Sequence, residues 1–201
     1  MSAAALRLII AALIAAFAGG AAADVRVKVA NKHYQISGKT GAALLDAMDR
    51  RGPKHGFLTR AIAQTRYSVT WEIEWAENAG TCRVRNADAV LDITYTYPKI
   101  AGAVSADLGK RWKRFFAGVR KHEETHGHIA REMVAAAERA VIGFTTRNDR
   151  TCSKSKREIK RRVDEIYAAY EARQIEFDRV EHREGGNVHG LVASLVSSRR
   201  K

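Results

Sequence analysis

Residues Lys121–Arg131 read KHEETHGHIAR, and the spacing of the histidines in this stretch indicates the fold around it. His122 and His126 are four residues apart and fill a gap in an apolar three-four pattern that extends from Trp112 to Phe144. On an α-helix this spacing places both imidazoles on one face, beside the residues that pack against the core. The pattern therefore predicts one long amphipathic helix, from about Ser105 to Phe144, with both histidines on its buried face.

Two imidazoles one turn apart can bind the same zinc ion with little loss of side-chain freedom. Glu123 follows the first histidine, and its carboxylate is directed to where a water activated by zinc would lie, so it can accept a proton from that water. This HExxH pattern is typical of zincin metallopeptidases. We predict a Zn²⁺ cofactor held by His122 and His126, with Glu123 as general base. The alternative is a pair of hydrogen-bonded core histidines; Glu124 and His128 are expected on the surface.

A catalytic zinc usually has three protein ligands, so a further ligand is needed. Glu132 has the spacing of a third metzincin ligand, but Ile129 replaces the required glycine, and a continuing helix directs Glu132 away from the ion. Asp178 and His182 are again four residues apart, near the end of a second predicted helix. We expect His182 as third ligand with Asp178 as its orienting partner. The reverse assignment, or Glu181 as ligand, stays open, and an ordinary helix end without a metal role is the alternative.

Periodicity in the rest of the chain predicts an α+β fold, with a small antiparallel sheet and one helix followed by two long helices. The expected elements are strands at Val25–Val29 and Tyr34–Gly38, a helix capped by Thr40, a half-buried strand at Thr65–Glu77, a turn at Asn78–Gly80, one or two strands ended by Pro98, and a second long helix at about Ser153–Arg183. The final segment contains a short apolar helix or tail without an assigned position.

The first 23 residues have the layout of a cleavable signal peptide. Arg7 precedes an apolar run from Leu8 to about Phe17, and Ala21–Ala23 form a small-residue site before Asp24. We predict a signal peptide at 1–23 and one domain at 24–201, the zincin-like metallopeptidase domain, with a retained membrane anchor as the alternative. No later segment is apolar enough to span a bilayer. The mature protein is therefore expected to be periplasmic or secreted, with no transmembrane span.

The two cysteines, Cys82 and Cys152, are far apart and belong to no CxxC motif. Export would place them where disulfides persist, so we predict one structural disulfide between them. Two buried free thiols are the alternative.

The formal net charge of +13 favours contact with polyanions. For an exported protein these would be lipid phosphates or cell-wall polymers, and no nucleic acid is expected. A second functional hypothesis is therefore an exported basic module that binds anionic envelope polymers, with a structural metal or none. Hydrolysis of cell-wall amides by the same metal chemistry is a third.

These features together resemble an uncharacterised bacterial family described as predicted secreted zinc-dependent proteases. The shared features are the signal peptide, YQISG, Gly52-Pro53, WEIEW, Cys82, YTYP, WKRFF before HEETH, Cys152 and Phe177-Asp178. The resemblance covers most of the mature chain, and implies a zincin-like fold and hydrolysis of peptide bonds in a peptide or protein substrate. In the family pattern the distal aspartate is followed by a threonine and a His-Gly pair. Here Glu181 replaces the threonine, His182 comes one position early, and Arg183 and Glu184 precede the glycines.

Overall fold

The computed structural model describes residues 25–55 and 59–197 and has a mixed α+β architecture, as predicted. The predicted signal peptide lies outside the described residues. The elements in chain order are β1 (Arg26–Ile36), α1 (Gly41–Arg51), β2 (Lys54–His55), β3 (Thr59–Arg60), β4 (Gln64–Asn78), β5 (Thr81–Ile100), α2 (Ala106–Val141), β6 (Thr145–Thr146), α3 (Ser153–His182) and α4 (Asn187–Val196).

The main sheet is built around β5, which lies between β1 and β4, while the short β6 pairs with the start of β5. β4 and β5 form an antiparallel hairpin closed by Ala79 and Gly80, whose φ angles of 47° and 79° suit a two-residue turn. β1 pairs with β5 in parallel. The prediction of an antiparallel sheet is therefore wrong for β1. The chain leaves β1 through α1 and returns along β4, so β5 runs in the direction of β1.

Two boundaries predicted for the strands are also wrong. β1 is one strand of 11 residues rather than two, because Asn31-Lys32 lies on an exposed edge strand that tolerates polar residues and contains no turn-forming glycine or proline. β5 continues past Pro98 to Ile100. β4 pairs no further along β5 than Thr96, so Pro98 has a neighbouring strand only on the β1 side and costs no hydrogen bond to β4.

Helix α2 confirms the predicted long amphipathic helix. The Ser105 hydroxyl accepts a hydrogen bond from the Leu108 N–H at the first turn, and the helix ends just before Gly143, which has a φ of 74°. At the histidine motif the Tyr95 side chain extends from β5 to the surface of α2. A Cβ atom added to Gly127 would lie 2.0 Å from the Tyr95 hydroxyl oxygen, so any other residue here would displace the Tyr95 side chain. The buried stripe of α2 thus lies directly on the sheet.

Helix α3 packs antiparallel to α2, since Arg173 contacts Glu132 while the later Asp178 contacts the earlier His122. The predicted disulfide is confirmed: Cys82 and Cys152 are bonded, with Cα atoms 5.3 Å apart, and connect the start of β5 to the start of α3. The unassigned final segment forms α4, which packs against α1, α2 and α3. Within the described ranges, no helix is long and apolar enough to cross a membrane.

Candidate metal centre

Two consecutive turns of α2 supply the histidine motif. His122 and Glu123 are each only 6% exposed, and the His126 side chain is 13% exposed. The Nε2 atoms of His122 and His126 lie 3.2 Å apart, so the two imidazoles converge on one point as the four-residue spacing predicts. The buried face of α2 therefore contains a pair of nitrogen donors.

Helix α3 adds an oxygen donor to this pair. Asp178 Oδ1 lies 3.1 Å from His122 Nε2 and 2.9 Å from His126 Nε2. The three atoms form a nearly equilateral triangle, with edges between 2.9 and 3.2 Å. Half of the Asp178 side chain faces solvent, since it is 44% exposed. The triangle is therefore built from two helices and remains accessible.

Gln174 fixes the orientation of His126. Its Oε1 lies 2.5 Å from His126 Nδ1, and its Nε2 donates to the main-chain oxygen of His126 at 3.1 Å. The amide oxygen can only accept, so Nδ1 carries the proton and Nε2 is the atom that faces Asp178. Gln174 is one turn before Asp178 on α3, so one helix face both completes the triangle and holds His126.

His122 is oriented differently. Its ring stacks on Phe177 with centroids 4.9 Å apart, and its Nδ1 is buried without a hydrogen-bond partner in the described part of the chain. Glu181 Oε2 lies 3.6 Å from this nitrogen, which is longer than a hydrogen bond, and accepts a hydrogen bond from Asn187 Nδ2 at 3.0 Å. Glu181 is thus a nearby carboxylate that a small movement would bring into contact with the ring.

The charges of the cluster are strongly coupled. Burial alone would raise the pKa of Asp178, but hydrogen bonds to His122 and His126 outweigh it and hold this pKa well below its usual range. Burial disfavours the charged form of His126, but hydrogen bonds to Asp178 and Gln174 raise the pKa of the imidazole. Burial and the neighbouring His122 lower the pKa of His182. The geometry therefore favours a positive charge between Asp178 and the pair formed by His122 and His126.

Glu123 lies beside the triangle rather than in it. Its Oε2 is 2.6 Å from the Thr65 hydroxyl, and the same hydroxyl lies 3.0 Å from the main-chain oxygen of Glu123. Burial raises the pKa of Glu123, although the hydrogen bond from Thr65 partly opposes the shift. A buried carboxylate with a raised pKa is suited to exchanging a proton.

The cluster opens into a cleft of about 520 Å³. Glu123, His126 and Asp178 all line it, together with Thr65 and Tyr67 of β4 and residues of α3. The Glu123 carboxylate and two of the three donor residues thus face the same space, between the edge of the sheet and α3.

The structure places the other candidate ligands less favourably. His182 Nε2 lies 3.8 Å from Asp178 Oδ1, too far for a hydrogen bond, so the expected orienting contact from Asp178 to His182 is not formed in this structure, and the identity of the third ligand stays a prediction. The donor atoms of His122, Asp178 and His182 do lie within 4.8 Å of one another, but the His182 side chain is 55% exposed. Glu132 is outside the cluster, as its helical position predicts, because its carboxylate pairs with Arg173 and with His128.

Sequence reasoning missed Gln174 and Thr65. Gln174 could have been found from its spacing, because it precedes Asp178 by one helical turn and therefore shares its face. No local signal identifies Thr65, which reaches Glu123 only because β4 passes beside α2.

Comparison with protein families gives one match, to the family described as "Bacterial protein of unknown function (DUF922)", over residues 31–189. The matched region includes the triangle, Glu123 and both cysteines. No curated protein and no solved structure matches the chain.

Proposed function

The chain belongs to the DUF922 family, and we propose that it is an exported zinc-dependent hydrolase that cleaves peptide bonds. In this proposal His122, His126 and Asp178 hold the zinc ion, and Glu123 is the general base. The observation that carries it is the triangle of donor atoms beside a buried carboxylate.

The donor set fits zinc in both geometry and chemistry. Two atoms that each lie about 2.0–2.1 Å from a tetrahedral zinc ion are about 3.3 Å apart. The three edges of the triangle, 2.9, 3.1 and 3.2 Å, are close to this separation. Imidazole nitrogen and carboxylate oxygen are both common zinc ligands. Asp178 meets these criteria better than His182, so the proposal adopts the reverse of the assignment expected from the sequence.

When bound, zinc would lower the pKa of a coordinated water toward about 7 and polarise the carbonyl of the scissile bond. Glu123 accepts the proton of the attacking water and returns it to the leaving amine nitrogen. Thr65 holds the Glu123 carboxylate toward the cleft through its hydroxyl. Gln174 keeps His126 in the tautomer whose Nε2 lone pair faces the ion.

A peptide substrate is supported by the position of β4. Among the described residues β4 pairs only with β5, so its outer edge offers unpaired main-chain groups. Thr65, near the start of β4, touches Glu123. An extended peptide that adds to this edge would pass directly in front of the general base, as in β-augmentation. Export is supported by the disulfide between Cys82 and Cys152, which is typical of oxidising compartments.

The substitution Glu123→Gln tests the proposal, with Glu124→Gln as matched control. Glutamine can retain the contact with Thr65 but cannot accept the proton. Glu124 is the next residue on α2, exposed and paired with Arg120 at 2.7 Å. Zinc content and cleavage of casein and of a mixed fluorogenic peptide library are measured for wild type and both variants.

We expect one zinc per chain in all three proteins and a loss of hydrolysis of about 10²- to 10⁴-fold in Glu123→Gln alone. A protein that binds stoichiometric zinc but shows no hydrolysis dependent on Glu123 would contradict the proposed activity. If the protein released peptides from cell-wall material and did not cleave casein, the result would instead support hydrolysis of cell-wall amides.

Binding of anionic envelope polymers is the second candidate function, favoured by the net charge of +13. Electrostatic binding is screened by salt and does not need the metal. Binding to vesicles containing phosphatidylglycerol that survives chelation but is lost on raising the salt concentration would support it; unchanged binding at high salt would contradict it.

A further inference from the structure

The cleft beside the metal centre has a charge opposite to that of the whole chain. The protein has a net charge of +13, yet the residues lining the cleft include three carboxylates, those of Glu123, Glu171 and Asp178, and no lysine or arginine. In the proposed function Asp178 binds zinc and Glu123 handles a proton. Glu171 is the carboxylate that has no part in this chemistry.

A second cavity of about 410 Å³ adjoins the cleft and shares Tyr67 and Glu171 with it. Val69, Met133 and Ala168 give this cavity an apolar lining, and Met133 is only 3% exposed. Glu171 is the one charged residue that lines it. The cavity thus combines an apolar interior with a single negative charge at its boundary with the cleft.

Glu171 lies at that boundary together with Tyr67, since both residues line the two cavities. Burial and the nearby Glu171 charge raise the pKa of Tyr67, and Gln174, which lines the same cleft, contacts His126. Within residues 25–55 and 59–197, the Glu171 carboxylate forms no ion pair with a lysine, arginine or histidine. Its charge is therefore available to a ligand in the cavity.

We propose that Glu171 selects a lysine or arginine side chain of the peptide substrate, an inference that rests on the proposed peptidase function. The apolar stem of such a side chain would pack on Val69 and Met133, and its cationic end would meet the Glu171 carboxylate. A basic side chain has this combination of apolar length and terminal charge, which neither an acidic nor a short polar side chain offers.

The position of the selected residue follows from the strand. β4 passes from Thr65, beside Glu123, to Val69 in the second cavity. At about 3.3 Å per residue this is a distance of about 13 Å. Tyr67, two residues after Thr65, also lines this cavity, so a peptide extended along β4 would place its basic residue roughly two to four residues from the cleaved bond.

The test uses three labelled peptides that differ only in having Lys, Leu or Glu at positions two to four from a central bond. Their affinity for zinc-loaded Glu123→Gln is measured by fluorescence anisotropy, and their cleavage by the wild type is measured separately. We expect the Lys peptide to bind roughly tenfold tighter than the Leu peptide, with the Glu peptide weakest. Adding Glu171→Gln should abolish the difference between Lys and Leu, and Glu171→Lys should favour the Glu peptide.

Glu176→Gln is the matched control. Glu176 is also an exposed glutamate of α3, but it pairs with Arg179 at 2.6 Å and does not line the cavity. This substitution should leave the preference unchanged. Equal affinity for the Lys and Glu peptides, a preference that survives Glu171→Gln, or no binding of any peptide would overturn the proposal. Selective binding that depends on Glu171, without cleavage by the wild type, would uphold the selection of basic peptides and refute the hydrolytic function.

Discussion

His126 Nε2 lies 2.9 Å from Asp178 Oδ1, although the two residues are 52 positions apart in the chain. The same oxygen lies 3.1 Å from His122 Nε2. The contact joins α2 to α3 at the mouth of a cleft that Glu123 also lines. A divalent cation at this point would replace a proton shared between the histidines and the carboxylate. The geometry thus connects the position of α3 to the occupancy of the proposed metal site.

Replacing Asp178 by alanine should lower zinc affinity roughly 100-fold or more, because the variant loses the only oxygen of the triangle. The dissociation constant can be measured by competition with a chromophoric chelator. The far-ultraviolet circular dichroism of the metal-free variant should match that of the wild type, since Asp178 is half exposed and is not part of the core.

His182→Ala separates the two candidate assignments of the third ligand. Because the His182 side chain is 55% exposed and its Nε2 lies 3.8 Å from Asp178 Oδ1, this change should weaken zinc binding by less than about tenfold. A large loss of affinity in His182→Ala, together with a small loss in Asp178→Ala, would show that His182 is the ligand and that the triangle is not the metal site.

Gln174→Leu should weaken zinc binding by about 10- to 100-fold without removing a ligand. Gln174 Oε1 accepts a hydrogen bond from His126 Nδ1–H, and Gln174 Nε2 donates one to the main-chain oxygen of His126. Leucine occupies similar space but leaves Nδ1 without an acceptor, so the imidazole loses its fixed tautomer and orientation. Chelator competition measures the change.

The conservative variant Gln174→Glu distinguishes a positioning role from simple packing. Glutamate retains an oxygen acceptor for His126 Nδ1, so zinc affinity should recover to within a few-fold of the wild type. If Gln174→Leu and Gln174→Glu were equally impaired, or if Gln174→Leu bound zinc normally, Gln174 would not act through the imidazole.

Periodicity was enough to predict the helices and the histidine pair. The three-four apolar pattern of α2 is long, and its gap is filled by His122 and His126, so their burial follows from helical geometry alone. The starts of the helices were also predictable, because an N-terminal cap is a local interaction. Thr40 accepts a hydrogen bond from the Ala43 N–H, and Ser105 accepts one from the Leu108 N–H.

The contacts between elements could not be read from the sequence. Asp178 and His182 are one turn apart on α3, so the rotation of α3 against α2 decides which of them meets the histidines. That rotation is set by contacts between elements, such as the hydrogen bond from Trp71 Nε1 to the Tyr167 hydroxyl at 2.8 Å and the stacking of Phe177 on His122. The parallel pairing of β1 with β5 is likewise a non-local choice that no alternation pattern determines.

The Asp149 carboxylate binds the first turn of α3. Its ionisation should therefore make the free energy of unfolding depend on pH. It is 3% exposed, and Oδ2 accepts hydrogen bonds from the Ser155 N–H at 2.8 Å and the Ser155 hydroxyl at 2.7 Å. Oδ1 accepts from the Lys154 N–H at 3.1 Å. Burial by itself would raise the pKa of Asp149, but these donors outweigh it and lower the pKa. The ionised carboxylate therefore acts as the N-terminal cap that Cys152 does not provide.

Because the folded pKa lies below the unfolded value of 3.8, this stabilisation is present above pH 3.8 and is lost as pH falls through the lower folded pKa. At pH 7 Asp149→Ala should lower the melting temperature by about 2–4 °C, as expected for a lost cap. The difference from the wild type should shrink as the pH falls below 3.8, because the carboxyl is protonated first in the unfolded chain and, at lower pH, in the folded protein as well. Asp164→Asn is the control, since Asp164 is exposed on α3 and pairs only with Lys160 among the described residues; it should shift the melting temperature by less than about 1 °C. Thermal unfolding followed by circular dichroism at pH 7 and at pH 3 measures both variants. An Asp149→Ala difference of equal size at the two pH values would show that the carboxylate charge does not stabilise α3.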